Sequence, residues 1–283
     1  MSDLLTLTTV AEVQNWHASE ASPVAAILTM GALHAGHAEL VSYAKSQTPP
    51  DTRVIVTIFV NPTQFNNASD LEKYPRSLEG DLAVLRSVGA DAVFVPDVAQ
   101  IYPTGLQTNP PIEPGAIGEI LEGNARPGHF RGMLTVVHRL FEITQADYSF
   151  FGEKDFQQLT LVKAMVAKLA MPIKIFGVPT VRDDSGLALS SRNRRLNNSG
   201  AELAKHIPVA MNLMAQAFLA GEGTSECEQL GRNYLVSQGV ADIEYLEIRS
   251  TDLISQPTTA DARVFIAVVI EDVRLIDNLE ISK

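Results

Sequence analysis

An α/β protein is predicted: a doubly wound parallel sheet comes first and a smaller α+β domain follows. Three observations carry this. From Val24 to about Pro179, short apolar runs alternate with segments of helical period, and strand, helix, strand in repetition implies right-handed crossovers and a parallel sheet. The strand candidates are continuous and rich in β-branched residues, "VIVTIFV" above all, as strands buried on both faces are. The alternation then stops after "VPTVRDDSG", where two helical runs and two strands follow. The expected domains are 1–178 and 179–283.

Each element has its own local reason. "VAAIL" (Val24 to Leu28) is a first strand, and "GHAELVSYAKS" a helix after it. "VIVTIFV" (Val54 to Val60) is the second strand. "SLEGDLAVLRSVG" is amphipathic, with Gly89 as its stop. "DAVFVP" is the next strand. "RGMLTVVHRLFEIT" and "QQLTLVKAMVAKLA" are helices flanking the strand "YSFFG", and "IKIFGVP" closes the series. "YPTGLQTNPPIEPG" is a loop by its proline and glycine content. In the second domain, helices are expected over about Ala201 to Ala220 and Ser225 to Gln238, then strands "IEYLEIR" and "ARVFIAVVI".

The bulk properties exclude several functions. The chain has 283 residues, is 46% hydrophobic and carries a formal charge of −11. Broad nucleic-acid binding needs a basic face, so no nucleic acid is expected as partner. Cys227 is the single cysteine, so no intrachain disulfide or cysteine zinc site can form. The first residues, "MSDLLTLTTVAEVQNW", lack the basic-then-apolar pattern of a secretory signal. The longest apolar run, "VFIAVVI", is too short for a bilayer. A cytoplasmic protein without membrane contact is expected.

Chemistry concentrates where strands hand over to helices. In "LTMGALHAGHAEL" His34 and His37 stand three apart at the start of a helix, and three-apart side chains face one way. Ligands of open parallel sheets bind at the carboxyl ends of the strands. A helix start there offers N–H groups and partial positive charge to phosphate, and Gly36 lets a ligand approach the backbone. One histidine at a helix start is usually a cap or a surface residue. A metal pair is a second option, but no third ligand follows by spacing. H-x-G-H between strand and helix is more specific: nucleotidyl-transferring enzymes share it, class I aminoacyl-tRNA synthetases and small cytidylyltransferases among them. "FVNPTQF" presents Gln64 at the same sheet edge, although an ordinary turn would read alike. "FFGEKDFQQL" brings Gly152, Lys154 and Gln158. "LALSSRNRRL" offers two hydroxyls and Arg192, a set that suits phosphate.

"TMGALHAGH", "FVNPTQF", "YPR", "RPGHFRG", "FFGEKDFQQL", "GVPTVR" and "LALSSRN", in this order and spacing, resemble the pantoate–β-alanine ligase family. The resemblance spans nearly all of the first domain and the linker into the second. It implies a Rossmann-like first domain and a smaller second domain that closes over ATP. It implies a reaction in two steps. The (R)-pantoate carboxylate attacks the α-phosphate of ATP, giving pantoyl adenylate and pyrophosphate. The β-alanine amine then attacks the acyl carbon, AMP leaves and pantothenate forms. Magnesium accompanies ATP, and members are usually homodimers.

Carried onto this chain, the resemblance puts Met30, Gly31, Ala32 and Leu33, then His34, Ala35, Gly36 and His37, at ATP. His34 and His37 contact its phosphates, and His37 is the residue associated with proton donation. Gly152, Glu153, Lys154 and Asp155 contact the nucleotide, with Lys154 on phosphate. Val181 packs near the adenine. Leu189, Ser190, Ser191 and Arg192 grip the triphosphate. His37, His34, Lys154 and Arg192 are thus the implied catalytic residues. Gln64 and Gln158 hold pantoate, Gln64 also lies near β-alanine, and Asp81 is implied at the magnesium shell. Two departures stand out: Leu189 where the family often has methionine, and Ser69 where many members carry an acid before Asp70. Two other functions remain open on the fold alone. An enzyme that stops after nucleotidyl transfer would need no amine, and a nucleotide sensor would show no turnover.

Overall fold

The computed structural model describes residues 4–65, 71–72 and 74–282, so Ser69 and Asp70 lie outside the described residues. The backbone divides into two compact units. The first runs to Glu153 and includes Gln158–Pro179. The second comprises Lys154–Gln157 and the chain from Thr180.

In the first unit, six parallel strands form one sheet in the order β1-β4-β3-β2-β5-β6. These are β1 (Leu5–Leu7), β2 (Val24–Thr29), β3 (Arg53–Ile58), β4 (Ala92–Phe94), β5 (Tyr148–Gly152) and β6 (Lys174–Val178). The expected strands are all present, and β1 was not foreseen. The main helices are α1 (Val10–Ala18), α2 (Ala35–Gln47), α3 (Leu78–Ser87), α4 (His129–Thr144) and α5 (Phe156–Lys168). Residues alternate across the strands. Val24, Ala26, Ile55 and Phe94 pack with Trp16 of α1, Met133, Leu134 and Leu140 of α4, and Val162 and Met165 of α5. Ala25, Ile27, Val54 and Val56 pack the other way, with Leu40, Val41 and Ala44 of α2 and Leu85 of α3. Helices therefore cover both faces, which is what doubly wound means. From β2 the chain steps one way to β3 and β4, while β5 and β6 lie on its other side. The crevice between the carboxyl ends of β2 and β5 is the switch point where such sheets bind ligands.

α1 was missed, although its signal is present: Thr9 caps it and Glu12 reaches back to the Thr9 N–H, a complete capping box. β3 stops at Ile58, not Val60, because the chain turns at Asn61 into a 3-10 turn, Pro62–Gln64.

In the second unit, β7 (Asp242–Arg249), β8 (Arg263–Ile270) and β9 (Val273–Glu280) form an antiparallel sheet in that order. Against it lie α6 (Asn198–Ala204), α7 (His206–Leu219) and α8 (Thr224–Ser237). Met211 and Met214 of α7 and Leu235 of α8 share a core with Val264, Ile266 and Val268. The single helix expected over Ala201 to Ala220 is two. Pro208 has no N–H to donate to Ala204, so the first helix ends there. β9 was not expected. Glu271 and Asp272, with φ of 51° and 61°, make the two-residue turn that pairs it with β8.

Candidate active site

β2 runs straight into the loop that carries the two histidines. The backbone there is held in the left-handed region at two successive residues, with φ of 81° at Gly31 and 51° at Ala32, which side chains disfavour. Two side chains keep it so. Thr29 Oγ1 donates to the Thr57 carbonyl at 2.7 Å and accepts the Gly31 N–H at 3.1 Å. Asp81, reaching from α3, accepts the Ala32 N–H at 3.0 Å and the Leu33 N–H at 2.7 Å. A Cβ on Gly31 would stand 3.0 Å from both Asp81 and Ile58, so any other residue would be crowded as well as strained at this φ.

Asp81 is 3% exposed and has a backbone amide on each carboxylate oxygen. These two hydrogen bonds make Asp81 an anchor of the loop. Among the described residues no group of three or more His, Cys, Asp or Glu side chains could hold a metal.

The histidines themselves form a reciprocal cap. His34 is the N-cap of α2, and its Nδ1 accepts the Gly36 N–H at 3.1 Å. Nδ1 of His37 accepts the His34 N–H at 3.3 Å. The ring centroids are 4.1 Å apart. An Nδ1 that accepts a hydrogen bond carries no proton, so the neutral ring bears its proton on Nε2. Both rings are therefore set as Nε2–H donors. The Gly36 amide, which a helix start would offer to an anion, is already taken by His34.

Beside β3, Asn61 is 1% exposed and organises the "FVNPTQF" turn. Its Oδ1 accepts the Tyr102 hydroxyl at 2.7 Å and the Thr63 hydroxyl at 3.0 Å. Its Nδ2 donates to the side-chain oxygen of Gln64 at 3.1 Å and to the Gly132 carbonyl at 3.3 Å. Burial pushes the Tyr102 phenol up, opposed by its bonds to Thr63 and Asn61. Gln64 is buried, and with its side-chain oxygen on Asn61 it has N–H groups to offer a ligand. The Gln64 backbone carbonyl accepts from Arg126 at 2.9 Å and bonds His129 Nδ1 at 3.1 Å. Gly132 explains the end of "RPGHFRG": a Cβ there would lie 2.4 Å from the Thr63 carbonyl oxygen. Arg126, His129 and Tyr102 had no role assigned from sequence. The quoted motifs contained two of them, but nothing local showed that Arg126 and His129 would reach the Gln64 carbonyl.

Gly152 ends β5, paired with Val178. A Cβ there would meet nothing within 4 Å, so the space beside this backbone is open. Glu153 follows it, and Gln158 sits half-buried in the first turn of α5.

The second unit holds the other expected residues. Val181 and Leu189 face each other across a narrow hairpin, the Leu189 N–H on the Val181 carbonyl at 2.9 Å. Asp183 shapes its tip by accepting from Ser185 and Leu187. Burial works against the charge of this carboxyl, but those bonds outweigh it and hold the group below the usual range. Ser190 caps the 3-10 turn Ser191–Arg195, its hydroxyl accepting the Arg192 N–H at 3.2 Å. Ser191 beside it is buried. Lys154 Nζ lies 3.9 Å from Asp155, and the Lys154 carbonyl accepts from Asn278 at 2.8 Å.

Fold and helix start together put this chain among α/β enzymes with an H-x-G-H loop at the switch point of a parallel sheet. Comparison with known proteins makes this specific. Residues 5–280 match the family model described as pantoate-beta-alanine ligase. A pantothenate synthetase from Corynebacterium jeikeium is 47% identical over 91% of this chain and 82% of its own length. One from Cereibacter sphaeroides is 46% identical over 97% and 99%. Among solved structures, pantothenate synthetase from Thermus thermophilus superposes with a TM-score of 0.89 at 38% identity, covering 99% of this chain and 100% of that one. Pantoate-beta-alanine ligase from Francisella tularensis, complexed with beta-gamma ATP and beta-alanine, gives a TM-score of 0.78 at 36% identity, covering 98% and 97%. The chain belongs to the pantoate–β-alanine ligase family and is an enzyme of that kind.

Proposed function

We propose that this enzyme condenses (R)-pantoate with β-alanine through a pantoyl adenylate, with ATP becoming AMP and pyrophosphate. The observation that carries the reading is the paired cap of His34 and His37, two Nε2–H donors set at the switch point. As the pantoate carboxylate meets the α-phosphate, charge builds on phosphate oxygens, and fixed neutral donors stabilise that charge without repelling magnesium. The loop Met30 to Leu33 and the bare backbone at Gly152 receive the nucleotide. Gln64 and Gln158 hold pantoate, whose hydroxyls and carboxylate suit amide donors, and Gln64 also serves β-alanine. Carried over from the family resemblance, Lys154 and Arg192 supply positive charge, Leu189, Ser190 and Ser191 join Arg192 on the triphosphate, and Val181 packs near the adenine. Magnesium enters with ATP as part of the substrate. No side chain need become covalently attached, because pantoate and β-alanine supply both nucleophiles. We carry over from the family resemblance a homodimer in the cytoplasm; among the described residues no helix is long and apolar enough to cross a membrane.

Product analysis tests the reading. ATP, magnesium, pantoate and β-alanine should yield pantothenate, AMP and pyrophosphate in equal amounts. Formation of ADP, or release of a nucleotidylated acid that ignores β-alanine, would overturn it.

A further inference from the structure

β9 ends in a polar pair where a core strand should be apolar. Asp277 and Asn278, adjacent in sequence, are 4% and 3% exposed. Buried polar groups are costly unless bonded, and these two are bonded to an unusual degree. Arg182 grips Asp277 through both nitrogens, at 2.6 and 3.1 Å. The same guanidinium donates to the Gly186 carbonyl and to the Asn278 carbonyl, each at 2.9 Å. Asn278 uses its side chain in two directions. Its Oδ1 accepts from the buried Arg263 at 2.5 Å, and its Nδ2 donates to the Lys154 carbonyl at 2.8 Å. Arg263 in turn lies over the ring of Phe156, 4.2 Å from its centroid, close in sequence to Lys154.

The pattern connects two segments that Gln158–Pro179 separates in sequence, Lys154–Gln157 and the hairpin from Thr180. Asn278 fixes the backbone of Lys154. Arg182, locked on Asp277, ties down both arms of the hairpin whose outgoing arm leads through Leu189 and the Ser190 cap to Arg192. Hydrophobic burial alone would be served by any two apolar residues here.

We propose that Asp277 and Asn278 are the positioning residues for the second unit's two phosphate-facing cations, Asn278 acting on Lys154 and Asp277 acting through Arg182 on the segment that carries Arg192. This rests on the assignment of Lys154 and Arg192 to the triphosphate. A flexible lysine stem hung on a mobile backbone would lose much of its stabilisation of the transition state, because displacement of about 1 Å can cost about a hundredfold in rate.

Asn278→Asp is the selective change. The carboxylate keeps an acceptor for Arg263 and loses the donor for Lys154. Asn278→Ala is its uncharged control. The assay is exchange of labelled pyrophosphate into ATP with pantoate present, in each single variant, in Lys154→Ala, and in the combined variants, with thermal melting followed by circular dichroism. Both Asn278 variants should lower the maximal exchange rate by roughly tenfold to a hundredfold, with the pantoate KM little changed. In the Lys154→Ala background the same substitutions should have no further effect, since neighbours acting through one group are not additive. Normal exchange by a folded Asn278→Asp enzyme, or losses that add to that of Lys154→Ala, would overturn the proposal. If Asn278→Ala fails to fold, Asn278→Asp decides alone. If Lys154→Ala itself exchanges normally, it is the assignment of Lys154 that fails, and the positioning role falls with it.

Discussion

His34→Ala and His37→Ala should each slow adenylate formation by about a hundredfold to a thousandfold, or about 2.7–4 kcal/mol, the range for removing one preorganised donor from a developing oxyanion. Each ring has two tasks, and a simple loss of activity would confuse them. Nδ1 of His34 caps α2 and Nδ1 of His37 caps the His34 amide, so alanine also costs helix stability, typically about 1 kcal/mol for a lost N-cap. His34→Asn separates the tasks, because asparagine is a good N-cap but lacks the Nε2–H donor. The expected result is a protein that melts close to the parent and forms adenylate slowly in rapid-quench experiments. A near-normal first step in His34→Asn and His37→Ala would remove the histidines from the chemistry and leave them as caps.

The second large effect is on stability. Asp81→Ala should destabilise the first unit by about 2–6 kcal/mol, since two buried amides lose their acceptor at about 1–3 kcal/mol each. Asp81→Asn should lose less, because its amide oxygen can keep one of them. Gly31 and Ala32 hold positive φ less firmly with Thr29 as the remaining anchor, so adenylate formation should fall in both variants. The magnesium concentration for half-maximal rate should stay where it is. Denaturant unfolding and a magnesium titration of Asp81→Asn decide the matter. Parent-like stability with a magnesium requirement shifted upward would return Asp81 to the metal.

That case shows what a sequence conceals. The strands of the sheet were legible because burial on both faces leaves uninterrupted apolar runs, and α2 because H-x-G-H follows such a run. β9 was not, because Asp277 and Asn278 break its pattern at buried positions, and their partners stand 95 and 124 residues away. α1 and β1 are short, and the capping box at Thr9 and Glu12 was the readable trace of the helix. Gln64 could be singled out from its own motif. The residues that hold its turn could not, since Arg126 and His129 reach the Gln64 carbonyl, and Tyr102 reaches Asn61, only through tertiary folding. Asp81 was noticed, but a carboxylate's partners cannot be counted along a chain, and its bonds to two amides of a distant loop were not legible.

The account turns on an adenylate that forms before the amine is used. Exchange of labelled pyrophosphate into ATP, measured with pantoate and magnesium and without β-alanine, tests that most directly. The first step is then complete and reversible, so label should appear in ATP at a rate set by the histidine pair, and His34→Asn should suppress it. Exchange that requires β-alanine, or none with pantoate at any concentration, would contradict the order of bond making on which the whole site has been read.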